Sequence, residues 1–448
     1  YVIFFAKDKD RAKYRQLYNT KELGGDGGSM YFNIELANGT RRRMTVAERS
    51  DPATMPEGAR PFRLSDITSP RVREGRTGYF KILLNGLEFV PRKGEWKTHT
   101  EGIQRLIMAG RLEHSGNSPA YTRFLGDFPA FPINNVWGTV AGAQDKFFVV
   151  QTAPRIVESC MLMTSDPGDL VLDPTCGSGT TAYVAEKWGR RWITCDTSRV
   201  AITLAKQRIM TSSYDYYELK YAHEGLKGGF IYKTVPHITL KSIANNPEID
   251  EIYERMRPAI KTALRQLNAA LKGSGASCTV TEGARKGETV DVSAATSAMV
   301  TLPSGRKVAK HDLLEWEVPF EFPPDWPAAA KAYFDSFHAS RKSMRERMDA
   351  SIAAHADTEV LYDQPEVSKT KRRVSGPFTV EAVPSPMVLS LDDTEPPIEA
   401  DVAIARSGQS SRHHQWRDEL TRTGIRGKNG QILMLADLET LPETRHLH

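Results

Sequence analysis

The sequence predicts an α/β fold built on a parallel sheet. Between Phe147 and Ile209 apolar runs of strand length alternate with runs of helical period, and a glycine-rich loop joins one strand to the helix after it. At 448 residues the chain also has room for two or three domains with cores of their own.

Taken in order, the apolar run Phe147–Val150 leads to Pro154, after which Ile156, Cys160, Met161 and Met163 form an approximately helical stripe. Asp166-Pro167-Gly168-Asp169 reads as a turn and Leu170-Val171-Leu172 as a short buried strand. The glycine loop follows, then a helix over Thr180–Lys187, a strand Trp192–Cys195 ending at Asp196, and a helix over Arg199–Met210. Ahead of this block, strand-like runs (Tyr1–Phe5, Tyr79–Leu84) alternate with Gly- and Arg-rich connections that include Gly24–Gly28 and Arg41–Arg43. Behind it, Pro247–Leu271 reads as a charged amphipathic helix and residues 273–310 as a mobile or short-stranded insertion. The turn Phe322–Pro327 caps a long helix, roughly Ala328–Ala354, and the proline-bearing tail beyond Pro384 is expected to be poorly ordered. There is no internal repeat.

Four cysteines (Cys160, Cys176, Cys195, Cys278) form no CxxC pair, and a chain of this size needs no disulfides, so a reducing, cytoplasmic setting is expected. No run of 18 apolar residues is present, which argues against a membrane partner. Scattered histidines support no metal site. The net charge of +5 is uneven: residues 1–125 carry 22 Lys and Arg against 14 Asp and Glu. A basic front favours a polyanionic partner through phosphate contacts and counterion release.

The strongest signal is Leu170-Val171-Leu172-Asp173-Pro174-Thr175-Cys176-Gly177-Ser178-Gly179-Thr180-Thr181-Ala182, with Asp196 closing the next strand. Gly177 and Gly179 let the backbone turn tightly and approach a ligand at the mouth of a parallel sheet. Thr180 and Thr181 begin a helix whose free N–H groups face the site. Asp196 lies where a carboxylate can accept from both hydroxyls of an adenosine ribose. A dinucleotide would also satisfy Gly177-x-Gly179-x-x-Ala182. The carboxylate of Asp173 would repel its pyrophosphate, however, and suits the ammonium or sulfonium of S-adenosylmethionine.

The run DPTCGSGTT resembles the S-adenosylmethionine-binding motif of the DNA N6-adenine and N4-cytosine amino-methyltransferases, usually DPFxGSGTT. Phe148–Val157 is similar to their upstream motif YPTQKP and the apolar helix after it. The resemblance implies a Rossmann-like S-adenosylmethionine-dependent methyltransferase sheet with an inserted target-recognition region and a mixed C-terminal extension. It implies that Asp173, Pro174, Gly177, Ser178, Gly179 and Thr180 hold the methionine end of the cofactor, that Asp196 holds the ribose, and that Thr152 closes the pocket.

Such enzymes flip the target base from double-stranded DNA and grip its amine with a [DNS]PP[YFW] tetrapeptide. The Pro-Pro pairs here, Pro323-Pro324 and Pro396-Pro397, lack the acceptor before and the aromatic after, so no catalytic residue is assigned. Tyr1–Lys9 resembles the strand that follows this tetrapeptide in type III-like modification enzymes, which implies that the catalytic motif precedes Tyr1 and that this chain alone is inactive. The implied division is 1–145 for the end of the catalytic subdomain plus the target-recognition region and 146–240 for cofactor binding. Residues 241–384 form an accessory region and 385–448 a tail. Arg71, Arg73, Arg76, Tyr79, Phe80, Phe89, Arg92, Lys93, Trp96, Lys97, Arg105, Arg111, Tyr121 and Arg123 fall where the family's recognition region lies and are expected to supply phosphate and stacking contacts. The basic run Lys369–Arg373 reads as solvated surface. The implied activity is site-specific methylation of an exocyclic base amine, adenine N6 favoured, in restriction–modification or phage defence, with restriction or defence subunits as candidate partners. Two rivals stand beside it: a nicotinamide-dependent dehydrogenase on the same kind of sheet, and a non-catalytic DNA-binding subunit that retains the cofactor pocket.

Overall fold

The computed structural model describes residues 2–116, 118–137, 152–383, 420–426 and 431–434. The expected strand Phe147–Val150 and most of the tail beyond Pro384 lie outside the described residues. The fold is mixed α and β. Its contacts fall into two units, each assembled from separated stretches: 1–18, 132–233 and 360–448 in one, 19–131 and 234–359 in the other.

The first unit holds the strand–helix–strand block. Strand Leu170–Asp173 pairs in parallel with Arg191–Thr194, Leu172 beside Ile193 and Asp173 beside Thr194. A parallel pair cannot be closed by a tight turn, and helix Thr180–Lys187 supplies the crossover. Helix Pro154–Thr164 starts on a proline, whose missing N–H costs nothing in a first turn. Helix Arg199–Met210 is capped by the Ser198 hydroxyl, which accepts from the Ala201 N–H. The core gathers Met161, Leu162, Met163, Val184, Ala185 and Trp188 with Leu17, Tyr217, Leu226 and Phe230. Among the described residues nothing covers the other face of the parallel pair, so Leu172 is 64 % and Ile193 48 % exposed where the sequence predicted a buried strand.

Strand Ser213–Tyr217 pairs antiparallel with Val367–Val374, and Arg373 donates to the Lys187 carbonyl at 2.8 Å, tying that strand pair to the end of the crossover helix. The basic run Lys369–Arg373 is thus divided: Lys369 and Lys371 are exposed, whereas Arg372 pairs with Asp215 and Arg373 is packed inward. The expected strand at Tyr1–Phe5 does not form over residues 2–5, and Phe5 is 92 % exposed. A strand persists only where a neighbour satisfies its N–H and C=O groups, and among the described residues none lies beside this run.

The second unit carries a five-stranded antiparallel sheet in the order Leu112–Ser115, Ser118–Phe124, Arg60–Asp66, Asn33–Glu35, Arg41–Arg43. Arg41–Arg43, expected as a connection, is its edge strand, where charged side chains deter further pairing. Asn85 and Gly86, both at positive φ, turn the hairpin Ile82–Leu84 to Leu87–Phe89. The insertion 273–310 is two short hairpins, Ser277–Thr279 with Thr289–Asp291 and Met299–Thr301 with Lys307–Ala309. Helices Glu248–Leu271 and Lys331–Ala354 pack together over an apolar core that includes Trp96, Leu106, Ile243, Ile260, Leu267 and Phe337.

This unit also buries charge. Glu35, 3 % exposed, accepts from Arg41 at 2.7 Å, Arg60 at 2.5 Å and Arg345 at 3.1 Å. Burial alone would raise its carboxyl, but the three guanidiniums outweigh burial and hold it at about 2. Arg111 Nη1 donates to both carboxylate oxygens of Asp127, and its Nη2 reaches Asp349, which also accepts from Arg60.

Candidate functional site

The glycine loop is built by backbone hydrogen bonds that extend the parallel ladder past its last pair. The Cys195 N–H donates to the Asp173 carbonyl at 2.9 Å, and the Cys176 N–H donates back to the Cys195 carbonyl at 2.7 Å. The two strand ends therefore stay side by side beyond Asp173 and Thr194. The Gly179 N–H then donates to the Cys176 carbonyl, and Gly179, at φ 72°, turns the chain into the helix that begins at Thr180. A Cβ on Gly179 would lie 2.7 Å from that of Ala205 on the following helix, so glycine is required both by φ and by space. Gly177, at φ 51°, differs: a Cβ there would meet only the Thr175 carbonyl, at 3.9 Å, and its outer side is open.

The two strand-end carboxylates face this loop. Asp196 accepts from the Gly177 N–H through Oδ2 and from the Ser198 N–H through Oδ1, each at 2.8 Å. Those N–H groups, with that of Thr197, hold its carboxyl below the usual range, so it carries its charge at neutral pH. A carboxylate has about four acceptor sites, so acceptor capacity remains for a ligand's hydroxyls. Asp173 spends Oδ1 on the Thr175 N–H and hydroxyl. Among the described residues its Oδ2 takes no hydrogen bond.

The loop brings Asp173, Pro174, Gly177, Ser178, Gly179, Thr180 and Asp196 together, with different parts presented. Pro174 is exposed at the rim. Ser178 and Thr180 are buried, 4 % and 7 % exposed, their hydroxyls 3.2 Å apart. What these two can offer a ligand is backbone. Thr152 is exposed just before helix Pro154–Thr164, and among the described residues no hydrogen bond ties it to the loop. The rest of the motif ahead of it, Phe148–Gln151, lies outside the described residues.

One residue missed in the sequence supports the loop. Arg208 donates to the Ser178 carbonyl at 3.2 Å and the Thr180 hydroxyl at 3.1 Å, with its guanidinium over the Tyr183 ring. Its signal was available: Ala201, Ala205 and Ile209 are buried on one stripe of their helix, and Arg208 stands one turn beyond Ala205, which touches Gly179.

The basic and aromatic set at the front separates by burial, with Phe80 and Arg123 half-buried. Phe89, Trp96, Arg111 and Tyr121 are each under 10 % exposed and belong to the core, so they are unavailable to DNA, contrary to expectation. Arg105 is held by Asp250 and the Ala244 carbonyl. Arg71, Arg73, Arg76, Tyr79, Arg92, Lys93 and Lys97 are exposed. Among the described residues no cluster of His, Cys, Asp or Glu is arranged to hold a metal, and no helix is long and apolar enough to cross a membrane.

Comparison with known proteins agrees with the loop. Residues 92–207 match the family model described as DNA methylase, N6_N4_Mtase. The chain is 30 % identical over 155 residues to the Type II methyltransferase M.EcaI of Enterobacter cloacae, covering 33 % of each chain. It is 47 % identical over 58 residues to the Type II methyltransferase M1.MboII of Moraxella bovis, 13 % of this chain and 22 % of that one. The matched stretches thus span a third or less of these relatives' length. The solved structure titled M1.HpyAVI-SAM complex aligns over 20 % of this chain and 48 % of that chain at 23 % identity, with a TM-score of 0.16.

Proposed function

From the premise that this chain carries a segment of the DNA N6-adenine and N4-cytosine methylases, we propose that the protein transfers a methyl group from S-adenosylmethionine to an exocyclic amine of double-stranded DNA. Adenine N6 is the favoured target, within a restriction–modification or phage-defence system. The observation that carries this reading is the pairing of an open glycine loop with Asp196 at the carboxyl ends of two in-register parallel strands. That position is where ligands bind in open parallel sheets. We read the strand–helix–strand–helix block as part of a Rossmann-like sheet. In this scheme the stretch 146–240 binds cofactor, and the front region with part of the accessory stretch 241–384 recognises DNA.

The residues present fit the cofactor. Bound S-adenosylmethionine supplies an electrophilic methyl on a sulfonium. Gly177 leaves room for its close approach, Asp196 is charged and retains acceptors for the ribose hydroxyls, and Asp173 sets a negative charge beside the methionine end. Pro174, Ser178, Gly179 and Thr180 shape the loop, and Thr152 is proposed to close it. Asp173 and Asp196 act as anchors and not as bases, and no residue of this chain is assigned to grip the target amine. Positioning supplies much of the catalysis in such a displacement.

Calorimetry with S-adenosylmethionine tests the site. Asp196→Ala removes acceptors for two hydroxyls and frees the Gly177 N–H. Charged hydrogen bonds are worth about 1.5–3 kcal/mol each, so affinity should fall at least tenfold. Unchanged affinity, or saturable binding of a reduced nicotinamide cofactor that S-adenosylmethionine does not displace, would overturn the assignment.

A further inference from the structure

The unit formed by 19–131 and 234–359 contains a cavity of about 300 Å³ whose lining includes Arg73, Thr77, Lys97, His99, Lys241 and Asn245 and no carboxylate. Two features of the fold assemble it. Glu95–Trp96 pairs with Thr68–Ser69, and Arg73 folds back over this ladder to donate to the Trp96 and Lys97 carbonyls at 3.0 and 2.9 Å. Helix Thr100–Met108 meets the short helix Leu240–Ala244 at Gly102, where a Cβ would come within 2.9 Å of Ala244, and Arg105 locks the contact by donating to the Ala244 carbonyl. The missing side chain at Gly102 lets Lys241 and Asn245 approach Lys97 and His99.

We propose that this cavity seats a backbone phosphate of duplex DNA, with Lys97 and Lys241 as its principal cations and Arg73 and Asn245 as further donors. The inference rests on DNA being the substrate. Lys241 is exposed, and Lys97 spends one N–H on the Asp66 carbonyl, which leaves two. Part of the Arg73 charge is offset by buried Glu95, 3.6 Å away, and part of the Lys97 charge by the exposed Asp66 carboxylate, so exposed Lys241 leads with Lys97 beside it. A free phosphate ion would need only the cavity. Here the segments that supply the lining carry further exposed cations: Arg71 and Arg76 flank Arg73, with Glu74 between them, and Arg92 and Lys93 precede Lys97. Several cations on the segments around a pocket suit a polyanion with repeating phosphates better than a single ion. It also gives the accessory stretch from Lys241 on, to which the sequence assigned no chemistry, a share in DNA binding.

The test is fluorescence anisotropy of the full chain with a labelled duplex of about 20 base pairs across a salt titration. Each neutralised phosphate contributes about 0.9 to the slope of log K against log salt. The Lys97→Ala, Lys241→Ala double variant should lower that slope by about one and weaken binding several-fold at about 0.1 M salt. Lys241→Arg should keep the wild-type slope, which a merely structural loss would not predict. A double variant with wild-type slope and affinity overturns the proposal. So does one that loses saturable binding of inorganic phosphate while its duplex binding is unchanged, since the cavity would then be a small-anion site. Calorimetry with S-adenosylmethionine on the same chain reports the methylase reading independently. Retained cofactor binding with an unchanged slope defeats only the cavity, and lost cofactor binding leaves the slope still informative.

Discussion

The glycine loop and the buried arginine network hold charged groups in place by opposite means. Asp196 is fixed by the backbone N–H groups of Gly177 and Ser198, neighbours in a single motif. Glu35 is fixed by guanidiniums drawn from three separate elements, the farthest being Arg345, 310 residues along the chain. The first arrangement leaves its carboxylate partly open to a ligand, and the second seals its carboxylate in. On the proposed reading, a charge meant for a ligand is held through backbone donors and keeps acceptors free, whereas a charge meant for the fold is surrounded by side chains.

The sealed network should give the largest effect when broken. Glu35→Ala leaves Arg41 and Arg345, with side chains 11 % and 30 % exposed, without their shared acid, and removal of one partner from a buried set costs up to about 3–5 kcal/mol. Chemical denaturation of the full chain measures it, and a loss below about 1 kcal/mol would mean that the network behaves like exposed surface pairs. The same carboxylate sets a pH dependence. Its folded value of about 2 lies below the ordinary 4.5, so its contribution is full above pH 4.5 and is lost as pH falls towards 2. The amount at stake is roughly 3 kcal/mol. Glu35→Gln should flatten that acid limb, and a limb of unchanged steepness would assign it to other carboxylates.

A smaller effect is expected at the loop. Gly179→Ala demands a left-handed backbone from alanine and also collides with Ala205, for a cost of about 1–3 kcal/mol. Gly177→Ala meets only the backbone penalty of about 1 kcal/mol, because its surroundings are open. Cofactor affinity should fall for both, since a Cβ on Gly177 would stand where the cofactor approaches, but thermal stability should fall more for Gly179→Ala. Equal losses would show that the contact with Ala205 yields easily and that the loop is held less tightly than its hydrogen bonds indicate.

The same contrast explains what could be read from the sequence. Helices Thr180–Lys187 and Arg199–Met210 have the expected bounds, and strand Leu170–Asp173 falls within one residue of expectation, because their signals are local periods and turn residues. The loop residues were legible because they are contiguous with the strand and helix that place them. The five-stranded sheet was not legible, since its strands pair across long separations and its edge, Arg41–Arg43, has the composition of a connection. Tyr1–Phe5 failed in the opposite sense: its composition is that of a strand, but strand formation also needs a partner that composition cannot supply. Trp96 and Tyr121 mixed with exposed arginines looked like stacking residues until their burial placed them in the core.

Arg208 should give the smallest effect on cofactor affinity, because it acts only through the shape of the loop, and it is where the two ways of holding charge meet. It belongs to the loop but reaches it as a side chain, from 28 residues beyond Thr180, with a guanidinium whose affinity for its proton is lowered by burial and which has Tyr183 beneath it. It touches no open side of the loop, so it acts through Ser178 and Thr180 as a positioning residue. Arg208→Ala removes two hydrogen bonds of about 1 kcal/mol each and leaves the Ser178 carbonyl without this donor. Calorimetry should show S-adenosylmethionine affinity down by several-fold. Arg208→Lys, which can reach one acceptor but not both, should recover part of it. If Arg208→Ala instead lowers thermal stability and leaves affinity intact, the loop takes its shape from the backbone bonds among Asp173, Cys176 and Cys195 alone, and the side chain serves only to fill the space beneath.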